Sequence, residues 1–294
     1  RHDTVYKTDG LAVKTKSDKS ALIVNGHEIL YFSEKEPTKL PWGKLGIDVV
    51  VESTGLFTSF EKAKVHLTAG AKKVVISAPA KDAPKDDSEA TVLLGINEEK
   101  LAKCKISSNA SCTTNAASPV IAILHETLGI EKALLNTVHA YTASQAIVDG
   151  PNKKDYREGR AAAQNIVPSS TGAAIAVTKA FPQLTGLFDG ISLRVPVATG
   201  SIADITFISK KQTSAEEVNE ILRRAAKEKR WQGIFVVNED EPVSSDIIGD
   251  RHASIADLKM TRVVGGNLVK VLAWYDNEMG YAYTLVEHVI KIGL

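Results

Sequence analysis

Ile47-Asp-Val-Val-Val-Glu-Ser-Thr-Gly55 is a short, unbroken β-branched run that ends in small polar residues. A run of this kind reads as a strand buried on both faces of a parallel sheet. Glu61 to Ala69 follows as a helical segment closed by Gly70, and Lys73-Val-Val-Ile-Ser77 is a second buried strand. Strand, helix and strand with tight loops make a βαβ unit, and ligands of such sheets bind beyond the carboxyl ends of the strands. Those ends are Ser53-Thr54-Gly55 and Ser77-Ala78-Pro79, whose hydroxyls suit a dinucleotide and equally an ordinary strand-to-helix turn. Upstream, Leu11 to Thr15, Ala21 to Val24 and His27 to Phe32 form a small β ribbon, with Asn25-Gly26 as its hairpin turn.

Downstream, Ser107-Ser-Asn-Ala-Ser-Cys112-Thr-Thr-Asn-Ala-Ala-Ser-Pro119 carries a polar run to a single cysteine. An amphipathic helical pattern then begins, with Val120, Ile121, Ile123, Leu124, Thr127 and Leu128 before Gly129 stops it. Cys112 therefore falls at a helix N-terminus. Unpaired amides and the positive end of the dipole favour an anion there, so a thiol normally titrating near ~8.5 can become thiolate at neutral pH. Its Ser, Thr and Asn neighbours suit a cysteine that is reached from outside. A thiolate nucleophile needs a base that both accepts and donates a proton near neutrality, which imidazole does best. Among the seven histidines, His139 sits near the end of the strand Ala133 to Thr142, beside Tyr141 and Thr142. A structural histidine is the commoner reading of a lone one.

Ala143 to Val167 shows no sustained periodicity, and a loop of that length in a compact domain is usually functional. Ala173 to Ala180 reads as a short helix. Ser170-Thr171-Gly172 before it offers a hydroxyl and amides as an anion site or as a plain cap. Gly190 to Val197, Ala203 to Ser209, Ile234 to Asn238 and Val269 to Tyr275 read as strands, with amphipathic Ala215 to Lys229 and Tyr281 to Ile292 as helices. Many strands with few helices between them predict a largely antiparallel sheet with helices on one face. Arg194, inside the apolar run Leu193-Arg-Val-Pro-Val197, must point outward or meet an anion, and its planar fork suits phosphate.

The chain has 294 residues, enough for two domains, and 36 basic residues balance 35 acidic ones. That balance gives no global case for nucleic acid or an anionic membrane. Two cysteines, Cys104 and Cys112, make neither a disulfide framework nor a zinc site, so no metal is expected and a reducing compartment fits. No apolar run approaches a membrane span, and the first residues have no apolar signal region, which together read as a cytoplasmic protein. No G-x-G-x-x-G fingerprint occurs anywhere in the chain.

Several motifs in order resemble the phosphorylating glyceraldehyde-3-phosphate dehydrogenases. They are Trp42-Gly, Glu52-Ser-Thr-Gly55, Ser77-Ala-Pro79, Ser-Asn-Ala-Ser-Cys112-Thr-Thr-Asn115, His139-Ala-Tyr-Thr142, Asp149-Gly-Pro151, Pro168-Ser-Ser-Thr-Gly-Ala-Ala174, Arg194-Val-Pro196, Val243-Ser-Ser-Asp246 and Trp274-Tyr-Asp-Asn277-Glu-Met-Gly-Tyr281. The resemblance implies an α/β chain: a Rossmann-type NAD-binding domain, N-terminally incomplete, plus an α+β catalytic domain with a largely antiparallel sheet. The first would span 1–111, joined by helix 279–294, and the second 112–278. It implies Cys112 as nucleophile and His139 as base, with Ser111, Thr113, Thr171 and Gly172 on inorganic phosphate and Thr142 and Arg194 on the substrate's phosphate. Thr54, Gly55, Ser77, Asn277 and Tyr281 would line NAD, with NADP left open because the acidic ribose ligand of the family would lie in the N-terminal segment that the resemblance implies is missing. A homotetramer is implied, with Ala143 to Val167 at a subunit interface near a neighbouring cofactor. Ala116 replaces a second cysteine that the family often has, and Ser144 stands where many bacterial members carry Asp. The related readings are an erythrose-4-phosphate dehydrogenase, a catalytically silent truncated homologue acting as an assembly partner, and a cysteine hydrolase.

Overall fold

The computed structural model describes residues 2–7, 10–153 and 155–294. Arg1, the first residue of the family-like stretch, and Lys154, within the long 143–167 segment, lie outside the described residues. The chain opens with an antiparallel meander of β1 (Val13–Thr15), β2 (Ala21–Val24) and β3 (His27–Leu30). Asn25 and Gly26 join β2 to β3 at φ of 48° and 85°, the two-residue turn whose twist matches that of the flanking strands.

A single helical turn, α1 (Trp42–Leu45), leads into β4 (Val49–Glu52), α2 (Phe60–Thr68), β5 (Lys73–Ile76), β6 (Glu89–Thr91) and β7 (Ile106–Ser108). Strands β4 to β7 form an all-parallel sheet in the order β4-β5-β7-β6. Ser59 starts α2 by accepting the Lys62 amide on Oγ at 3.2 Å, satisfying one of the unpaired donors of the first turn. The helix then covers one face of the sheet, packing Phe60, Ala63 and Leu67 on Val74, Ile76 and Ile106. The βαβ unit thus sits where the β-branched runs predict it.

Next come α3 (Cys112–Leu128), β8 (Ile130–Ala140), β9 (Val167–Ser170), α4 (Ala173–Ala180), β10 (Phe188–Val195), β11 (Ser201–Ser209), α5 (Ala215–Ala225), β12 (Phe235–Asn238), β13 (Ser254–Val264), β14 (Leu268–Tyr275) and α6 (Met279–Gly293). Strands β8 to β14 make one sheet, ordered β12-β13-β14-β11-β8-β10-β9, in which only β12–β13 and β8–β10 are parallel. Helices α3, α4 and α5 pack on one face of it. Ile121, Leu124, Leu135 and Phe207 are fully buried in that layer, and each such burial contributes about 1.5–3 kcal/mol.

Four strands, β6, β7, β9 and β13, lie outside the runs that the sequence pattern marks. β7 consists of Ile106, Ser107 and Ser108, all buried, where a polar approach to the cysteine is expected. Its serines are tolerated because Ser107 Oγ bonds His288 Nε2 at 2.7 Å and Ser108 Oγ donates to the Ala78 carbonyl at 2.6 Å. In β13, Asp257 interrupts the apolar run yet is 3% exposed, because its Oδ2 accepts the Trp274 indole N–H at 3.1 Å. The helix expected over 215–229 stops at Ala225, and Lys229–Trp231 is a separate 3-10 turn.

The last helix returns to the first sheet. α6 lays Leu285, Val289 and Ile292 against Val49, Val75 and Val92, covering the face opposite α2. The parallel sheet therefore has helices on both faces, as a doubly wound sheet does.

Gly70 has a φ of +100°, and a Cβ built on it would lie 2.5 Å from Gly43 Cα. Gly70→Ala is expected to cost roughly 2–3 kcal/mol, combining left-handed strain with this backbone collision. Gly46→Ala, at φ +64° but facing open space, carries the strain alone and should cost about 1 kcal/mol. Urea unfolding of the two variants separates them; equal losses would remove the close approach as the cause.

Candidate active site

Cys112 is delivered by a tight link from β7 into α3. Ala110, fully buried, adopts the left-handed region at φ 55°, a conformation costly for a residue with a Cβ. The surroundings over-determine it. The Ser108 hydroxyl accepts the Ala110 amide at 3.1 Å, and Tyr281 donates its phenol to the Ala110 carbonyl at 3.2 Å. The Asn115 amide donates to the carbonyls of Asn109 and Ser111 at 2.8 and 2.9 Å. Ser111 caps the helix, its Oγ accepting the Thr114 amide at 3.1 Å. The polar neighbours of Cys112 are thus not an exposed rim. Ser107, Ser108, Asn109, Thr114, Asn115 and Ser118 are buried and bonded internally, and they shape the turn.

Cys112 keeps partial exposure, and its Sγ lies 3.4 Å from His139 Nε2. The sulfur itself is densely surrounded, so loss of hydration dominates and pushes the thiol up. The Thr113 hydroxyl, the Thr113 amide and the Arg194 charge act in the opposite direction without prevailing. Burial thus acts against the ionisation that the helix N-terminus favours. His139 is pushed down to about 4, chiefly by burial and then by the Arg194 charge. Both shifts act toward the uncharged forms, thiol and neutral imidazole.

His139 Nδ1 lies 2.7 Å from the Ala140 carbonyl and 2.6 Å from Arg194 Nη1. The carbonyl, which only accepts, calls for a hydrogen on Nδ1, and the guanidinium, which only donates, calls for a lone pair there, so the two neighbours compete for that nitrogen. Arg194 Nη1, 3.3 Å from the same carbonyl, donates there as well. His139 also meets the ring edge of Tyr275 at a centroid distance of 5.9 Å. The Tyr275 hydroxyl joins Thr113 Oγ1 and Thr137 Oγ1, each at 2.8 Å, so it ties α3 to β8 beneath the thiol–imidazole contact. Tyr275 is absent from the sequence-derived candidates. Its one signal is a hydroxylated aromatic at the end of a buried strand, which must find a polar partner.

Parallel pairing of β8 and β10 sets Arg194 directly beside His139 in register. Among the described residues no carboxylate pairs with Arg194, and its buried Nε has no partner. A guanidinium left with its charge uncompensated and a donor unfilled is suited to an anion. The structure brings Cys112, Thr113, His139 and Arg194 into one network of contacts. Thr142 lies just past β8, bonding Ser144 Oγ at 3.0 Å and accepting nothing from Arg194. The register sets Ser170 opposite Ile191, three positions before Arg194, so Thr171 and Gly172 leave the sheet at the other end of that pairing. They begin α4, where Gly172 faces open space and Thr171 Oγ1 accepts the Ala173 amide at 3.2 Å.

The residues expected along a dinucleotide stand at the carboxyl ends of β4 and β5 and at the start of α6. Gly55, at φ +77°, leaves open space where a side chain would project. Asn277 Oδ1 accepts the Ser201 and Thr199 hydroxyls at 2.9 and 3.2 Å, leaving its amide N–H groups without a partner among the described residues. Those donors fit a carboxamide oxygen. Tyr281 bonds both Ser77 Oγ, at 3.3 Å, and the Ala110 carbonyl, so it joins the end of β5 to the turn before Cys112. Asp276 secures Asn277 from below. Its buried carboxylate accepts the Tyr6 and Thr199 hydroxyls and the Gly249 and Met279 amides at 2.8 to 3.0 Å.

A doubly wound parallel sheet with open strand ends, next to a thiol–imidazole pair, is the arrangement of a cysteine-dependent dehydrogenase. Residues 111–277 match the family profile "Glyceraldehyde 3-phosphate dehydrogenase, C-terminal domain", and residues 1–60 match "Glyceraldehyde 3-phosphate dehydrogenase, NAD binding domain". Glyceraldehyde-3-phosphate dehydrogenase B of Aspergillus oryzae is 46% identical over 92% of this chain and 79% of its own length. Glyceraldehyde-3-phosphate dehydrogenase 2 of Streptomyces avermitilis is 45% identical over 100% of this chain and 85% of its own, and the Borreliella burgdorferi enzyme is 47% identical over 95% and 84%. The chain belongs to the glyceraldehyde 3-phosphate dehydrogenase family.

The two thiols differ enough to be told apart. Cys104 is 1% exposed and its thiol is pushed up to about 11 by burial. Iodoacetamide at pH 8 is expected to label Cys112 and spare Cys104 until the chain unfolds, as read by peptide mass spectrometry. His139→Asn should slow Cys112 labelling roughly 10-fold by removing the proton acceptor, on the general-base scale of about 10²–10⁴ in catalysis. Labelling of Cys104 in the folded protein would contradict this geometry.

Proposed function

We propose that this chain oxidises glyceraldehyde 3-phosphate with NAD and inorganic phosphate to 1,3-bisphosphoglycerate. The observation that carries the reading is the contact of Cys112 with His139, itself flanked by Arg194, which has no carboxylate partner among the described residues and whose buried Nε is unfilled. Cys112 gives its proton to His139 Nε2 and its sulfur bonds to the aldehyde carbon, forming a hemithioacetal. The Cys112 amide at the helix N-terminus and the imidazolium N–H stabilise the oxygen as it gains charge. NAD, when bound, supplies the acceptor for the hydride on that carbon. His139, having returned its proton to the oxygen, takes it again as the carbonyl re-forms, and a thioester to Cys112 remains. A phosphate oxygen then attacks the thioester carbon and the carbon–sulfur bond breaks, with sulfur leaving as thiolate beside the imidazolium. Splitting oxidation from acyl transfer in this way is what a covalent intermediate contributes.

Within this reading Arg194 and Thr142 hold the substrate's phosphate, and Ser111, Thr113, Thr171 and Gly172 receive inorganic phosphate. Thr54, Gly55, Ser77, Asn277 and Tyr281 line NAD. The division into a dinucleotide-binding unit, 1–111 with 279–294, and a catalytic unit, 112–278, follows the two sheets. We assign a homotetramer working in the cytoplasm, with the 143–167 segment at an interface. That segment leaves Ile147 and Tyr156 90% and 89% exposed, an apolar surface suited to a neighbour. No helix among the described residues is long and apolar enough to cross a membrane.

NADH formation from glyceraldehyde 3-phosphate and NAD, followed at 340 nm with and without inorganic phosphate, tests the reaction. Sustained turnover that requires phosphate is expected; turnover indifferent to phosphate would overturn the acyl-transfer step. Cys112→Ser should lower kcat by ~10³-fold or more with the fold intact by circular dichroism. In Arg194→Ala the loss of a charge-assisted contact is expected to cut kcat/KM roughly 10–100-fold for the phosphorylated aldehyde. Unphosphorylated glyceraldehyde should lose much less, and equal losses on the two substrates would remove the phosphate role.

A further inference from the structure

Below the turn at the end of β4 lies a buried polar chain that the reaction does not use. Glu52, the last residue of β4, is 2% exposed, and its Oε1 accepts both the amide of Thr54, at 2.8 Å, and the Thr54 hydroxyl. The Thr54 oxygen in turn accepts the Leu56 amide at 3.1 Å. On its other side, Glu52 Oε2 lies 2.7 Å from Nε2 of His66, a buried residue of α2. His66 Nδ1 lies 3.3 Å from Nε1 of Trp42 in α1. Indole N–H only donates, so His66 Nδ1 accepts and Nε2 carries the hydrogen given to Glu52. The direction of every bond is thereby fixed: Trp42 to His66, His66 to Glu52, and Thr54 to Glu52 from above.

A buried carboxylate is tolerated only where donors satisfy it, and here two of its three donors belong to the turn itself. Gly55 then bends the backbone at φ +77° into open space. We infer that Trp42, His66 and Glu52 form a positioning relay that holds Ser53-Thr54-Gly55 in the shape that receives the dinucleotide, and so sets cofactor affinity. The inference rests on the proposed place of Thr54 and Gly55 along NAD. None of the three relay residues touches the reacting atoms, so they act through the turn.

The fixed bond direction supplies a test that a merely structural role would not pass. Glu52→Gln replaces one acceptor by an N–H donor. If the new amide faces His66, the ring must move its hydrogen to Nδ1, where it meets the Trp42 N–H head-on. Trp42→Phe removes that opposing donor. NAD dissociation constants from calorimetry, steady-state kinetics and amide hydrogen exchange at Thr54 and Leu56 are measured for the native chain, Glu52→Gln, Trp42→Phe and the double variant. In Glu52→Gln we expect NAD binding about 10-fold weaker, with the change falling on KM for NAD rather than on kcat, and exchange at Thr54 about 10-fold faster, each the scale of one lost buried hydrogen bond. Trp42→Phe alone should change each by less, and the double variant should recover part of the loss. Native-chain binding with unchanged affinity in Glu52→Gln would overturn the relay alone, as would a double variant that merely multiplies the two single losses. No NAD binding by the native chain would overturn the cofactor reading and the relay with it.

Discussion

A thiol and an imidazole 3.4 Å apart, both largely withdrawn from water, form the contact on which the rest of the site depends. Burial favours the uncharged form of each, raising one and lowering the other. Such a pair is useful only if its separation is fixed, because proton transfer tolerates little error in distance. Two elements from different parts of the fold set that distance. α3 brings the sulfur out of a strained turn, and β8 brings the ring to the end of an eleven-residue strand. Tyr275 then bonds one threonine from each and locks the spacing.

Arg194 adds the second constraint. Its charge depresses the imidazole and favours ionised sulfur, and both effects grow weaker when an anion sits on the guanidinium. The parallel β8–β10 pairing is therefore more than scaffolding. It places the Arg194 guanidinium and the His139 imidazole in adjacent register, so an anion on the first would raise the proton affinity of the second.

Local signals made much of this legible. The β-branched runs at 47–51 and 73–76, the Asn25-Gly26 turn, and the polar-to-amphipathic switch at Cys112 each depend on residues close in sequence, and each led to the element found. His139 and Arg194 could be singled out by type, but only the sheet register shows that they touch. What escaped the sequence was set by tertiary partners. β7 and β13 carry Ser and Asp that become buried only because His288, Ala78 and Trp274, far along the chain, bond them. The helix position of Cys112 is local, whereas the surrounding atoms that desolvate its thiol come from elements no local pattern names. Tyr275 and the Trp42–His66–Glu52 chain were invisible for the same reason.

The main chain passes between the two sheets at two places, once from β7 into α3 and once from β14 into α6. Cys112 stands at the first crossing and Asn277 just after the last strand at the second, so the thiol and the Asn277 amide are both carried by the segments that join the sheets.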